Sequence, residues 1–98
     1  MSLGSLWTKE AEASYGRILE YLEEAWGPSV TDAFEAEVSH TLALLEVFPD
    51  ACVLELSAEG IRSIQVARQV RLFYRHTSSF IIVLEFIDTR TAHFQRLR

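Results

Sequence analysis

The chain has 98 residues, of which 49% are hydrophobic and 23% charged, a composition typical of a folded globular protein with one hydrophobic core. Its longest apolar run, residues 80–84, is far shorter than the roughly 20 residues that cross a bilayer, and the single Cys52 excludes an intramolecular disulfide. We therefore expect one cytoplasmic domain over residues 1–98, with no membrane, metal or cofactor. Residues 1–4 could be a remnant of cloning.

The formal net charge of -5 is unevenly distributed along the chain. Residues 1–60 contain 12 acids and 2 bases, whereas residues 61–98 contain 2 acids and 7 bases, all of them arginine. Such asymmetry predicts that one surface meets an anionic or acidic partner. Solvated acidic helices beside a basic sheet would produce the same distribution.

Two amphipathic helices are predicted in the first half, because apolar residues recur there at intervals of three and four. The first helix, over about 8–26, has an apolar stripe of Trp7, Ala11, Tyr15, Ile18, Leu22 and Trp26. The second, ended by Pro49-Asp50, has a stripe of Val30, Phe34, Val38, Leu42, Leu45 and Phe48. Since only Gly27-Pro28 separates them, we expect an antiparallel hairpin.

Beyond Pro49, β-branched and aromatic residues predict strands at 53–56, 61–67, 70–76 and 80–87, and residues 3–7 are a candidate extra strand. The last strand is apolar at nearly every position, which favours an interior place covered on both faces. The predicted fold is α+β with the order β-α-α-β-β-β: a helical hairpin packs on one face of a twisted, mainly antiparallel sheet, and arginines occupy the other face. The predicted core consists of Ile18, Leu22, Phe34, Val38, Leu42, Val70, Leu72, Ile82 and Leu84.

Several segments also follow one another in a distinctive order. They are WTKEAEASYGRILEYLEEAWG at 7–27, then Phe34, Leu42, Leu45 and Phe48-Pro49, then Gly60-Ile61-Arg62, VRLFYR at 70–75 and IIVLEFIDTR at 81–90. Over about residues 5–90 the chain resembles the RelE/ParE superfamily of type II toxins, also called plasmid stabilisation proteins. It is most similar to the ParE-like branch.

The resemblance implies a small cytoplasmic toxin of a toxin-antitoxin system that inhibits growth and is neutralised by a cognate antitoxin. ParE-like members inhibit DNA gyrase by binding it, whereas RelE-like members cleave mRNA on the ribosome. The fold alone does not distinguish these targets, and an inactive relative that only binds an antitoxin is a third alternative. A homodimer is also compatible with the sequence.

Cleavage of RNA through its 2'-hydroxyl needs a base, cations for the phosphate and an acid for the leaving oxygen. The resemblance to RelE-like sequences implies that Arg62 replaces a strand lysine, that Arg71 matches the strand arginine and that Arg90 falls near the last arginine. Ile64 stands at the second lysine position, and the C-terminal tyrosine is missing, which leaves only His93 for proton transfer. The catalytic candidates of a nuclease are therefore Arg62, Arg71, Arg90 and His93.

The missing lysine and tyrosine favour binding over cleavage, and whether the chain is an enzyme stays open. Guanidinium groups bind phosphate or carboxylate through fixed forks of donors, but they are poor proton carriers. Arg71, Arg75 and Arg90 are the candidates for binding a target or an anion. Structural roles compete with each of these hypotheses: a salt-bridge surface for Arg71 and Arg75, a strand start for Arg62 and a turn for Arg90.

Overall fold

The computed structural model describes residues 2–56 and 58–89. Strand β1 (Gly4–Trp7) precedes helices α1 (Lys9–Trp26) and α2 (Pro28–Val47), and β2 (Val53–Leu56), β3 (Ile61–Ala67), β4 (Val70–His76) and β5 (Phe80–Asp88) follow. The strands form one sheet in the order β1-β5-β4-β3-β2. Strand β1 runs parallel to β5, and the other neighbours are antiparallel. The predicted α+β fold is confirmed, and all five predicted strands are present, one more than the order β-α-α-β-β-β counts.

Local sequence signals set the ends of the helices. The Thr8 hydroxyl accepts a hydrogen bond from the Ala11 N–H at 3.0 Å, which caps the first turn of α1. At the other end, Gly27 has a φ of 88°, and its N–H donates to the carbonyls of Leu22 and Glu23. This left-handed conformation suits glycine, and Pro28 then begins α2 at the position where a missing N–H costs least.

The main core lies between the helical hairpin and one face of the sheet. Its buried members include Ala11, Phe34, Val38, Leu45, Val66, Val70, Leu72, Tyr74, Ile81, Val83 and Phe86. Ile18, Leu22 and Leu42 pack against this core and remain half-buried. Among the described helices, none is long and apolar enough to cross a membrane.

Five residues of the predicted stripes and core lie elsewhere. Trp26, Val30 and Phe48 are exposed, because each lies close to a helix end, where the sheet no longer covers the stripe. On β5 the core-facing residues are Ile81, Val83 and Phe86, whereas Ile82 is half-buried and Leu84 packs with residues of the opposite face. The register of β4 and β5 shifts between Phe73 and Tyr74, so the core-facing residues of β5 do not alternate regularly, and an almost uniformly apolar strand does not reveal this.

Two hydroxyl groups of the first helical segment tie it to β5 beyond the end of β1. The Thr8 hydroxyl donates to the Leu84 carbonyl at 2.9 Å, and the Phe86 N–H donates to the Ser14 hydroxyl at 3.0 Å. Strand β1 pairs with β5 only as far as Trp7 opposite Val83. The two side chains therefore satisfy backbone groups of β5 where no neighbouring strand continues.

Candidate interaction site

The sheet face away from the helices, called the second face below, carries both apolar and cationic side chains. Phe73 and Ile87 are buried there and pack with the half-buried Ile61 and Leu84. Arg71 lies opposite Ile87 in the register of β4 and β5, and it is two residues before Phe73 on the same face of β4. The predicted arginine-bearing face therefore exists, but apolar residues make up much of it.

Arg71 belongs to a chain of hydrogen bonds that crosses three strands. Its Nε and Nη2 atoms donate to the Ser63 hydroxyl oxygen at 3.1 and 3.0 Å. The Ser63 hydroxyl in turn donates to Oε1 of Glu55 at 2.7 Å. One serine thus links a guanidinium to a carboxylate, and the carboxylate offsets part of the positive charge that Arg71 would present to an anion.

Glu55 is the functional candidate that sequence reasoning missed. It is the polar residue of the VLEL strand β2, and strand alternation alone shows that its side chain points away from those of Leu54 and Leu56. The sequence does not reveal that Ser63 lies within reach, because the register of β2 and β3 shifts between Leu54 and Leu56. Such an irregularity depends on the packing of the assembled sheet.

Arg75 shares a face with Arg71, four residues further along β4, and it is exposed. Its neighbour across the strands is Ile82 of β5. Arg71 and Arg75 are therefore the two described cations of the proposed target or anion site. Arg90 and His93 lie outside the described residues.

Arg62 points in the other direction, toward the loop between α2 and β2. It lies opposite Tyr74, whose side chain belongs to the core on the helix side. Its Nη1 atom donates to the carbonyls of Cys52 at 2.8 Å and Asp50 at 3.2 Å, and its Nη2 atom lies 3.4 Å from Asp50 Oδ1. The structure does not bring Arg62 together with Arg71, and its contacts hold the loop.

Two further side chains of β4 bind the same loop. The Tyr74 hydroxyl donates to the Pro49 carbonyl at 2.8 Å, and burial raises the pKa of Tyr74, as does its hydrogen bond with Cys52. His76 Nε2 lies 2.7 Å from Asp50 Oδ1. This hydrogen bond is the largest cause that holds the pKa of Asp50 below its ordinary value, and the positive charges of His76 and Arg62 add to it.

A second surface feature is a groove of about 930 Å³ beside α1. Ile18, Leu22 and Phe34 line its inner wall, and Tyr21 and Trp26 stand at its rim. The exposed fractions of Tyr21 and Trp26 are 49% and 66%. Exposed aromatic side chains beside an apolar groove are typical of protein-protein contact sites.

The charges around this groove are of both signs. Arg17 and Arg68 lie along it together with Glu10, Glu85 and Asp88. Arg17 and Glu10 form an exposed ion pair, with Nη2 and Oε2 2.9 Å apart. The chemistry of the groove is therefore apolar at its centre and mixed at its rim.

Comparison with known proteins agrees with this fold. A family model described as the ParE toxin of the type II toxin-antitoxin system, parDE, matches residues 6–93. A solved structure titled "Chromosomal ParDE TA system from P. aeruginosa" shares the fold, with a TM-score of 0.72 and 17% identity over 89% of this chain and 96% of that chain. No curated protein matches the sequence. The match to the family model covers nearly the whole chain, and the chain belongs to the ParE toxin family of type II toxin-antitoxin systems.

Proposed function

We propose that this toxin inhibits growth by binding a macromolecular target such as DNA gyrase, without cleaving it, and that a cognate antitoxin neutralises it. The observation that carries the proposal is the placement of Arg62. A nuclease site would need Arg62 beside Arg71 at the phosphate, and Arg62 instead binds the loop at residues 50–52. Arg71 and the exposed Arg75 remain on the second face, beside the half-buried Ile61 and Leu84, and these side chains suit recognition of an acidic protein surface.

A second candidate function, cleavage of mRNA, is favoured by one specific observation. Glu55 lies in the same hydrogen-bonded network as Arg71, and a carboxylate beside a guanidinium could act as the base for a 2'-hydroxyl. Against this role, the Glu55 carboxylate already accepts a hydrogen bond from Ser63, which is almost fully buried. Cleavage of mRNA therefore requires the Glu55 carboxylate as a base, whereas binding of a target does not.

Induced expression of three variants separates the two functions. If the toxin acts by binding, Arg71→Ala relieves growth arrest, whereas Glu55→Gln, which keeps a hydrogen-bond acceptor for Ser63, still arrests growth. Arg68→Ala removes a cation from the exposed turn between β3 and β4 and serves as the matched control for loss of charge. Purified toxin should inhibit DNA supercoiling by gyrase, and Arg71→Ala should weaken that inhibition.

One result of primer extension on transcripts from the induced cells would contradict the binding proposal. Cuts that appear within minutes at codon positions, and that both Arg71→Ala and Glu55→Gln abolish, would establish the nuclease. Intact transcripts together with defective supercoiling would support the gyrase proposal. Arrest with neither change would show that the target is a different one.

The groove beside α1 supports the antitoxin part of the proposal. An amphipathic antitoxin helix could bury its apolar face against Ile18, Leu22 and the rings of Tyr21 and Trp26. Because charges of both signs lie at the rim, this docking depends mainly on apolar contact. The acidic partner that the charge distribution of the sequence suggests stays a prediction. Co-expression with the adjacent gene and size-exclusion chromatography test it, and two separate peaks at micromolar concentration would contradict it.

A further inference from the structure

Beside the edge strand β1, the second face carries a row of adjacent side chains from three strands. Leu6 of β1 lies opposite Ile82 of β5, and Ile82 lies opposite Arg75 of β4. Phe80 precedes Ile82 by two residues and shares its face. Its ring lies against Gly4, where an added Cβ atom would come within 3.2 Å of the ring carbons. We call Leu6, Phe80, Ile82 and Arg75 the edge row.

The edge row combines accessible apolar surface with an exposed cation. The exposed fractions of Leu6 and Phe80 are 49% and 39%, Ile82 is half-buried and Arg75 is exposed. A sheet face that points away from the core usually carries polar residues, and a single exposed apolar side chain there is common. Apolar side chains that adjoin one another on two strands instead indicate an interaction surface.

The positive charge of Arg75 is not neutralised within the described part of the chain. None of the ion pairs between described residues includes Arg75. Arg71, by contrast, donates two hydrogen bonds to Ser63. The Glu46 carboxylate accepts a hydrogen bond at 2.6 Å from Ser5, whose side chain alternates with the row along β1 and therefore points to the helix side. The edge row thus presents one free guanidinium beside apolar surface.

This combination defines the chemistry of a partner. An entirely apolar partner would bury the Arg75 guanidinium without a counter-charge, which is costly. A nucleic acid would meet one cation, whereas phosphate backbones are bound by several, and its charged backbone would lie against Leu6 and Ile82. A protein segment that places an apolar side chain on Phe80 and Ile82 and a carboxylate at Arg75 satisfies both parts of the row.

We infer that the protein target of growth inhibition docks on the edge row through such a segment, an inference that rests on the proposed function. The row lies at the start of β5, whereas the groove beside α1 is lined by the last residues of the same strand, 85–88. The target and the antitoxin therefore contact opposite ends of β5. Variants of the row should weaken growth arrest and leave antitoxin binding unchanged.

Growth arrest after induced expression of the full chain tests the row whatever the target is. Leu6→Ser and Arg75→Glu should each raise the amount of toxin needed for arrest about tenfold or more. Arg75→Lys should retain part of the toxicity, because it keeps the charge but loses the planar fork of donors. The matched controls are Leu44→Ser, at a position that is 45% exposed on α2, and Lys9→Glu, at an exposed position of α1; both should arrest growth like the unmodified chain.

Two measurements on the purified proteins separate the other occupants of the row. In a titration with the antitoxin, loss of affinity in Leu6→Ser and Arg75→Glu would assign the row to the antitoxin or to folding, and would overturn the inference. In size-exclusion chromatography, a dimer that Leu6→Ser converts into a monomer would assign the row to a second copy of the chain and overturn it as well.

The growth assay also distinguishes failure of this inference from failure of the proposed function. Row variants that arrest growth like the unmodified chain would overturn the inference and leave the proposed function intact, as would equal effects of Arg75→Glu and Lys9→Glu. An unmodified chain that does not arrest growth would overturn the proposed function, and the inference with it.

Discussion

The arginines of the basic half differ in what they do because each one faces a different part of the molecule. Arg62 lies on the helix side and binds the loop through two carbonyls and Asp50. Arg71 lies on the second face and binds Ser63, and Arg75 is exposed. Residue type and count alone would have assigned all three to one anion site.

The loop cluster around Asp50 predicts how stability changes with pH. Its neighbours hold the pKa of Asp50 low in the folded protein, so the carboxylate contributes stability above the ordinary aspartate pKa of about 3.9, and this contribution is lost as pH falls through the lower folded value. We expect Asp50→Asn to lower Tm at neutral pH and the two curves of Tm against pH to converge in acid. Since Asp50 is exposed, the difference is small.

Thermal unfolding at a series of pH values between neutral and strongly acidic checks this. Asp32→Asn, a substitution at an exposed position of α2, is the matched control. Its Tm should differ from that of the unmodified chain by the same amount at every pH. A constant difference for Asp50→Asn as well would show that the His76 and Arg62 contacts do not persist in solution.

At the scale of elements, the two glycines of the helical hairpin illustrate opposite roles of the same residue type. Gly27 adopts a φ of 88° between the helices, a conformation that strains any residue with a Cβ atom. Gly16 lies in the middle of α1 on an exposed position, where an added Cβ atom meets nothing within 4 Å. The turn requires Gly27, whereas Gly16 makes no contact that requires glycine and only lowers the stability of the helix.

These two positions give a paired prediction for the free energy of unfolding. Gly27→Ala should lower it by about 1 kcal/mol, because alanine is strained at positive φ. Gly16→Ala should raise it by about 1 kcal/mol, because alanine favours the helix interior. Urea titration followed by circular dichroism measures both, and a stabilising Gly27→Ala would contradict the observed turn.

At the scale of the whole molecule, packing of the described residues leaves an apolar groove beside α1 and a sheet face that carries Arg71 and Arg75. Tyr21 lies beside the apolar stripe of α1 and Trp26 at its end, and both stay exposed at the rim of the groove. A toxin that must bind both a target and an antitoxin needs two such surfaces or one that they share. The placement of the groove and the second face favours separate surfaces.

Trp26→Ala tests the assignment of the groove to the antitoxin. Loss of a tryptophan that an interface buries costs about 2 kcal/mol when it is a hot spot, which corresponds to an increase in Kd of about 30-fold. We expect this increase in a titration of the purified toxin with its antitoxin. Phe48→Ala removes another exposed aromatic ring, at the end of α2, and should leave Kd unchanged. Equal effects of the two variants would place the antitoxin elsewhere.

The sequence by itself determined the element order, the helix bounds to within a residue or two and the strands β2, β3 and β4, because periodicity, caps and turn residues act within a few residues of the chain. It also predicted that arginines occupy the sheet face away from the helices, and Arg71 and Arg75 do so. Only the tertiary structure decided which residues of β5 enter the core. It also decided that Arg62 binds a loop and that Glu55 reaches Ser63. These outcomes depend on strand register and on contacts between segments far apart in the sequence, which local patterns do not encode.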